Sequence, residues 1–294
     1  MSSLPRGQPI PPAQPLTRRD SSTITANVSY VRAPSAPPIH YLYEPPRGTP
    51  RDSCTYEPRA VAIRDARPKV ARSVDRAGFE LRCAPTVVRD FLDDSEVRRV
   101  YYPEVEALAL TVSGGTRAYV FDHLVRKREP GRPPMTFGRR GGGAWPSAAG
   151  RVHNDYTAAS GRARLGLVLD DPAAEAAVTR FSILNVWRSI THHPVLDTPL
   201  AVCDARTVAT EDLVACELRY PHRVGEIYLV TYSPDHEWSY FPAMHRDEAL
   251  VFKQYDSAAG VAKLTPHAAF DHPDMPPGTP PRESIEARCL IVYT

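Results

Sequence analysis

The stretch Arg151-Val152-His153-Asn154-Asp155-Tyr156-Thr157 places an imidazole and a carboxylate two residues apart near the middle of the chain. On an extended strand, side chains at positions i and i+2 point to the same face, so His153 and Asp155 can converge on one atom. Asn154, between them, should point to the opposite face. A His-x-Asp tripeptide alone is a weak signal, so its meaning depends on what the other strands bring beside it.

The composition indicates a globular chain with many interrupted elements. Of 294 residues, 42% are apolar and 24% charged, and the net charge is only +2, so no nucleic-acid partner is predicted. The 31 prolines disfavour a helical bundle and favour short strands joined by long loops. The five cysteines form no C-x-x-C pair, which argues against a zinc knuckle.

The chain shows no targeting or membrane signal. The N-terminal residues contain no apolar core of signal-peptide length, and no stretch approaches the roughly 18 apolar residues of a membrane helix. A cytoplasmic protein without membrane contact is therefore predicted.

Composition shifts divide the chain. Residues 1–22 are rich in Pro, Ser and Arg and are predicted to be disordered. Residues 23–294 are predicted to form a single domain, in which the Pro-rich residues 33–58 make an arm over the surface. Residues 127–148 are dense in Gly, Pro and Arg and are predicted to form a lid-like loop before the His-x-Asp stretch.

Alternating, β-branched segments predict a mainly β fold with flanking helices. Strands are predicted at 23–31, 61–65, 117–123, 181–190, 200–203, 226–232, 238–241, 249–255, 264–270 and 283–293. Apolar spacing predicts helix across 86–113, with a break or kink at Pro103, and a helix start at Asp171-Pro172. Short strands with Pro and Gly turns indicate a double-stranded β-helix, the cupin-like jelly roll.

A second histidine must come from far along the chain. His267 lies in a short strand after the apolar strand 249–255, and in a jelly roll that order returns a late strand to the side of an early one. The other candidates, which we expect to be solvated or packed in the core, are His192, His193, His222, His236 and His245. His153, Asp155 and His267 together would form the facial triad that binds non-haem Fe(II).

An Arg-x-Ser pair, Arg282 and Ser284, opens the terminal strand. A guanidinium can hold a carboxylate through two hydrogen bonds, and a nearby hydroxyl adds another. The distal carboxylate of 2-oxoglutarate, whose keto-acid end chelates iron, needs such an anchor. Arg288 should face the same side of the strand and is the alternative, although we prefer Arg282.

Seven longer stretches of the sequence resemble those of a known enzyme family. They are Val152–Thr157, Asn185–Arg188, Pro199–Asp204, Trp238–Pro242, Asp247–Ser257, Thr265–Asp271 and Pro281–Arg288. From about residue 24 to the C-terminus, the sequence resembles the gibberellin-desaturase-like hydroxylase/desaturases, a family of Fe(II)/2-oxoglutarate-type enzymes that includes the cephamycin methoxylase component. The resemblance implies iron at His153, Asp155 and His267, 2-oxoglutarate near Arg282 and Ser284, O₂ as co-substrate, and a small-molecule substrate.

A substrate pocket is predicted from two further strands. Asn185, Trp187 and Arg188 should lie near the iron, with Arg188 binding a substrate carboxylate or making a structural ion pair. Trp238 and Tyr240 should wall the pocket or pack in the core. The predicted reaction is oxidation of a C–H bond by hydroxylation, desaturation or oxidative cyclisation. The predicted substrate is an amino-acid- or peptide-derived small metabolite of secondary metabolism.

Two other classes of function remain open at this point. The first is a metal-dependent cupin hydrolase or isomerase, which needs no Arg282. The second is a non-catalytic component that assists a partner enzyme such as a methyltransferase. The complete set of His153, Asp155, His267 and Arg282 argues against a degenerate partner.

Overall fold

Short strands pair into two facing sheets in the computed structural model, which describes residues 23–67, 72–129 and 145–294. The described strands are β1 Thr23–Val31, β2 Ile39–Tyr41, β3 Tyr56–Asp65, β4 Phe79–Cys83, β5 Arg117–Lys127, β6 His153–Asn154, β7 Arg180–Ser189, β8 Leu200–Cys203, β9 Leu213–Arg219, β10 Val224–Val230, β11 Trp238–Tyr240, β12 Glu248–Asp256, β13 His267–Ala269 and β14 Glu283–Tyr293. The N-terminus predicted to be disordered, residues 1–22, and residues 130–144 of the predicted lid-like loop lie outside the described residues.

The two sheets differ in size. The larger has nine strands in the order β1-β3-β11-β8-β13-β6-β10-β9-β2, and the smaller has five in the order β4-β12-β7-β14-β5. Their inner faces meet where Phe79, Trp187 and Phe252 of the smaller sheet pack in one apolar cluster with Leu200 and Val202 of the larger. The predicted mainly β jelly roll with flanking helices is confirmed, and this apolar cluster lies between its sheets.

Helices cover the outer face of the five-stranded sheet. α1 (Asp94–Glu96) continues through a π-helical turn (Val97–Tyr101) into α2 (Tyr102–Ser113), and Gly114 ends α2 in the left-handed conformation with φ 68°. The apolar side of this segment packs on the outward side chains of β7, β12 and β14. The inner face of the same sheet is turned toward the larger sheet and carries both apolar and polar side chains.

The predicted helix over 86–113 is wrong in its first part, because residues 86–93 are irregular. Side chains of the later helix bind this segment: Glu104 accepts from the backbone N–H of Val87, and Glu96 accepts from the N–H of Arg89. The helix starts at Asp94, after Asp93 caps it. Pro103 lacks an N–H, and the preceding turn widens to a π-helix rather than breaking.

Two more helices follow the His-x-Asp stretch. α3 (Ala158–Leu169), which the apolar spacing did not predict, begins at Thr157, whose side chain accepts from the N–H of Ser160. α4 (Pro172–Ala176) begins after Asp171, as predicted. None of the described helices is long and apolar enough to cross a membrane.

Candidate metal centre

The two histidines lie on neighbouring strands inside the larger sheet. β6 pairs with β13, and the register places His153 directly opposite His267. Their ring centroids are 4.3 Å apart. Asp155 follows β6 at a bend, and one ligand atom from each of His153, Asp155 and His267 lies within 4.8 Å of the others. The strand pairing therefore assembles a potential three-ligand metal site from distant parts of the chain.

Each histidine has one ring nitrogen committed to the backbone. His153 Nδ1 lies 2.8 Å from the carbonyl oxygen of Arg151, and His267 Nδ1 lies 3.3 Å from that of Thr265. A carbonyl oxygen only accepts, so Nδ1 carries the proton in both rings. Nε2 is thereby left unprotonated on both neutral imidazoles, which is the form that binds a metal.

The two oxygens of the Asp155 carboxylate likewise have different surroundings. Its Oδ2 accepts hydrogen bonds from Nδ2 of Asn185 at 3.0 Å and from Nε of Arg288 at 2.9 Å. Its Oδ1 lies 3.5 Å from Nε2 of His153. Oδ1 therefore faces Nε2 of His153, while Oδ2 is fixed by its donors.

Burial sets the protonation states at neutral pH. It lowers the pKa of His153 to about 4, helped by the neighbouring His267, and lowers the pKa of His267 to about 4 as well. Burial alone would raise the pKa of Asp155, but the charge of Arg288 and the hydrogen bond from Asn185 hold that pKa well below its usual range. All three groups thus have the ionisation that a metal requires.

Asn154, between the ligands, points away from them and secures the strand. Its Nδ2 donates to the carbonyl oxygens of Tyr156 and Gln254, and its Oδ1 accepts from the backbone N–H of Thr265. The side chain therefore joins β6 to β12 and to the segment that leads into His267. Asn154 supports the site and does not contribute a ligand.

Arg282 and Ser284 lie together on the inner face at the start of β14. Arg282 is 5% exposed, donates from Nε to Ser284 Oγ at 3.1 Å, and donates from Nη1 to the Thr198 carbonyl oxygen at 2.7 Å. Its guanidinium carbon lies 5.0 Å from the ring centre of Trp187. Burial, with the charge of Arg126, lowers the pKa of Arg282 to about 9. Within the described residues, Nη2 of Arg282 has no hydrogen-bond partner.

Arg288 faces the same side but is bound to three carboxylates. Besides the bond to Asp155, it donates from Nη2 to Glu286 at 2.9 Å and from Nη1 to Asp122 at 3.3 Å. Each guanidinium nitrogen therefore already has an acidic partner. Arg288 orients the Asp155 carboxylate.

The β7 residues divide between the two faces of the smaller sheet. Asn185 and Trp187 point inward, Asn185 to Asp155 and Trp187 beneath Arg282. Arg188 points outward, where its guanidinium carbon lies 5.1 Å from the ring centre of Tyr101 on the covering helix. Arg188 is thus placed on the opposite side of the sheet from the metal ligands, because side chains alternate along a strand.

Trp238 and Tyr240 lie on the outward face of the larger sheet. In the β8 register, Tyr240 and Ala268 are both opposite Ala201, whereas His267 is opposite Val202 and faces inward. Trp238 donates from Nε1 to the Tyr30 hydroxyl at 2.8 Å. The structure places this pair in an apolar cluster behind the ligand strands, as the core-packing alternative has it.

A cavity of about 460 Å³ opens beside the ligands. His153, Asp155 and Arg288 lie along it, together with residues of β5, α3, β9 and β10. None of the five residues predicted for the substrate pocket lines it. Three arginines outside the predicted site residues do so, namely Arg126 on β5, Arg164 on α3 and Arg223 just before β10. Arg164 belongs to a helix that the apolar spacing did not predict, so no sequence signal directed attention to it.

Sequence comparisons match this chain to known oxidoreductases. A family model described as oxidoreductase/YMDC permease-like domain matches residues 28–292. The Fe(II)/2-oxoglutarate-dependent dioxygenase nvfI of Aspergillus novofumigatus is 30% identical over 267 residues, covering 86% of this chain and 90% of that protein. The hydroxylase/desaturase CTB9 of Cercospora beticola is 33% identical over 262 residues, covering 81% of this chain and 78% of that protein.

A solved structure resembles the chain over almost its whole length. The iron and alpha-ketoglutarate-dependent endoperoxidase NvfI superimposes with a TM-score of 0.82 at 27% identity, covering 92% of this chain and 98% of that one. The fold, the geometry of the three candidate metal ligands and the sequence relatives therefore all indicate an iron- and 2-oxoglutarate-dependent enzyme.

Proposed function

Because the chain belongs to the Fe(II)/2-oxoglutarate-dependent hydroxylase/desaturase family, we propose that it oxidises a C–H bond of a small metabolite in secondary metabolism. The chain is a non-haem dioxygenase that uses Fe(II), 2-oxoglutarate and O₂. The observation that carries the proposal is the convergence of His153, Asp155 and His267, each with its second polar atom already bound within the protein.

The donor set fits Fe(II). Two imidazole nitrogens and one carboxylate oxygen on one side of an ion are the facial arrangement that leaves positions for other ligands. We assign these roles to His153 Nε2, His267 Nε2 and Asp155 Oδ1. When bound, Fe(II) with 2-oxoglutarate and O₂ supplies the oxidant for a substrate C–H bond, while 2-oxoglutarate becomes succinate and CO₂.

Arg282 fits the distal carboxylate of 2-oxoglutarate better than Arg288. It has a guanidinium nitrogen without a partner among the described residues, whereas Arg288 binds three carboxylates. Two more buried polar atoms without partners belong to residues that contact Arg282, namely Nε1 of Trp187 and Oγ1 of Thr198. Such groups are costly unless a ligand satisfies them, and a carboxylate accepts from all of them.

The protein would orient the substrate in the cavity beside His153 and Asp155. Hydroxylation, desaturation and ring closure all begin with removal of hydrogen from carbon, so the same ligand set can serve each. The predicted amino-acid- or peptide-derived substrate, and a partner enzyme in the same pathway, stay predictions of the sequence.

Succinate formation and O₂ uptake test the proposal. The purified chain with Fe(II), 2-oxoglutarate and ascorbate should convert 2-oxoglutarate slowly even without substrate, and Asp155→Ala should abolish both signals. Glu44→Ala, a change in a largely exposed side chain, serves as the control. A metal-dependent hydrolase or isomerase, or a non-catalytic partner, would give neither succinate nor O₂ uptake, and that result would overturn the proposal.

A further inference from the structure

The cavity beside the metal ligands combines a charged wall with an apolar one. Its apolar lining includes Leu42, Leu167, Leu218, Val224 and Ile227. Leu167 and Val224 are 71% and 64% exposed, and both line this one cavity. An apolar molecule in the cavity could cover both of them, so the lining favours a ligand with a substantial hydrocarbon part.

Among the described residues, four acids and four arginines line the cavity. They are Asp122, Asp155, Glu217, Glu226, Arg126, Arg164, Arg223 and Arg288. Every acid is already engaged. Asp155 and Asp122 bind Arg288, Glu217 binds Arg219 outside the cavity, and Glu226 accepts a hydrogen bond from the hydroxyl of Thr157. Three of these acids therefore have an arginine partner, and Glu226 is the one that the described residues bind only through a neutral group.

Arg164, in contrast to three of these acids, lacks an ionic partner among the described residues. Its guanidinium carbon lies 4.8 Å from the ring centre of Phe121, and the described residues give it no carboxylate. Its Nε is buried and has no hydrogen-bond partner among the residues that the structure describes. Arg223, across the cavity, stacks on Tyr220 at 3.6 Å and likewise has no acidic partner among the described residues. The cavity is thus lined by two arginines, Arg164 and Arg223, that lack a counter-ion among the described residues.

Stacking holds the plane of a guanidinium while its edge stays available. An arginine fixed in this way can bind a carboxylate through two parallel hydrogen bonds. The buried Nε of Arg164 is one of the two donors that such a contact uses. A carboxylate would satisfy that nitrogen and neutralise one of the two charges.

We infer that the substrate is an amphipathic carboxylic acid, with a hydrocarbon skeleton against Leu167 and Val224 and a carboxylate bound by Arg164. This inference rests on the proposed function, because it names the substrate class of the same site. Arg164 then takes the role that the sequence suggested for Arg188, which lies on the far side of the sheet.

A matched pair of fluorescent probes tests the inference without turnover. Dansylaminoundecanoic acid and its methyl ester share one skeleton and differ only in the charge of the carboxyl group. Both are titrated into the full chain loaded with Mn(II) and 2-oxoglutarate. The acid should bind at least about tenfold more tightly than the ester, as expected for a charge-assisted hydrogen bond.

Arg164→Met should bring the affinity for the acid down to that for the ester, and Arg164→Lys should retain part of the difference. Arg162→Met is the matched control, since Arg162 lies on the same helix, is 62% exposed and faces Glu175. Equal binding of acid and ester by the wild type, or equal losses in the Arg162 and Arg164 variants, would overturn the inference. Wild-type succinate formation, measured separately, reports on the proposed function alone, so the two failures are distinguishable.

Discussion

Nε of Arg288 donates a 2.9 Å hydrogen bond to Oδ2 of Asp155, a residue 133 positions earlier in the chain. This contact joins the inner face of the five-stranded sheet to the ligand strand of the other sheet. Arg288 also binds Glu286 and Asp122, so its guanidinium is saturated by carboxylates. Arg288 within β14 and Arg282 just before it therefore have separate tasks, Arg288 at the metal ligand and Arg282 at the position we assign to the co-substrate.

Arg288→Met should weaken Fe(II) binding by roughly 10- to 100-fold, the usual cost of removing a residue that orients a metal ligand. The physical reason is that Asp155 Oδ2 loses its charged donor. Anaerobic Fe(II) titration measures the effect, with the exposed Arg98→Met as control. Unchanged Fe(II) affinity together with a raised 2-oxoglutarate requirement would reassign Arg288 as the carboxylate anchor.

Arg282→Ala should raise the 2-oxoglutarate concentration for half-saturation by roughly 10- to 100-fold, because a buried charge-assisted contact is lost. Fe(II) affinity should change little, since Arg282 has no contact with the three ligands. Calorimetric titration of the Mn(II)-loaded protein with 2-oxoglutarate measures this. Arg206→Ala, at an exposed arginine, is the control, and an equal effect of both variants would contradict the assignment.

The metal-free protein should lose stability as the pH falls from about 6.5 to about 4. The unfolded chain takes up protons at His153 and His267 in that range, whereas burial keeps the folded rings neutral until their pKa of about 4. Urea unfolding in EDTA at several pH values measures the slope. The double variant His153→Gln/His267→Gln should show a shallower slope, and an identical slope would contradict the pKa shifts.

Gly78→Ala should destabilise the fold considerably more than Gly260→Ala. Both glycines have positive φ, 88° and 78°, so both substitutions carry backbone strain of about 1 kcal/mol. Only at Gly78 would the new Cβ meet another atom, Thr265 Oγ1 at 2.2 Å, while nothing lies within 4 Å at Gly260. The difference in the free energy of unfolding should reach about 1–3 kcal/mol, the usual cost of overpacking. Equal losses would show that the segment containing Thr265 shifts at no cost in stability to accommodate the new Cβ.

Local patterns predicted the parts of the fold that depend on neighbours in sequence. Alternation located β1 and β14, and Asp171-Pro172 located the start of α4. The segment 86–93 failed because its apolar spacing suits a helix, yet Val87 is 77% exposed and side chains of the later helix bind the backbone. α3 was missed because its sequence mixes small, basic and apolar residues, while its cap is a Thr157–Ser160 pair.

The candidate site, like the fold, could be predicted only where it depends on residues that are neighbours in sequence. The spacing of His153 and Asp155 follows from the chain itself, and strand alternation, applied strictly, would have separated Arg188 from Asn185 and Trp187. The contact between Arg288 and Asp155, and the face on which Trp238 and Tyr240 lie, depend on registers between strands remote in sequence. Such registers are set by packing of the whole sheet, which no local pattern encodes.

Anaerobic Fe(II) titration of His267→Ala beside His245→Ala tests the central claim most directly. His267 lies opposite His153 and has Nε2 available, whereas His245 is exposed and lies in a different cavity. The wild type and His245→Ala should each bind one Fe(II) per chain with the same affinity, and His267→Ala should lose that binding by about 100-fold or more. Retention of Fe(II) affinity by a folded His267→Ala variant would contradict the metal centre described above.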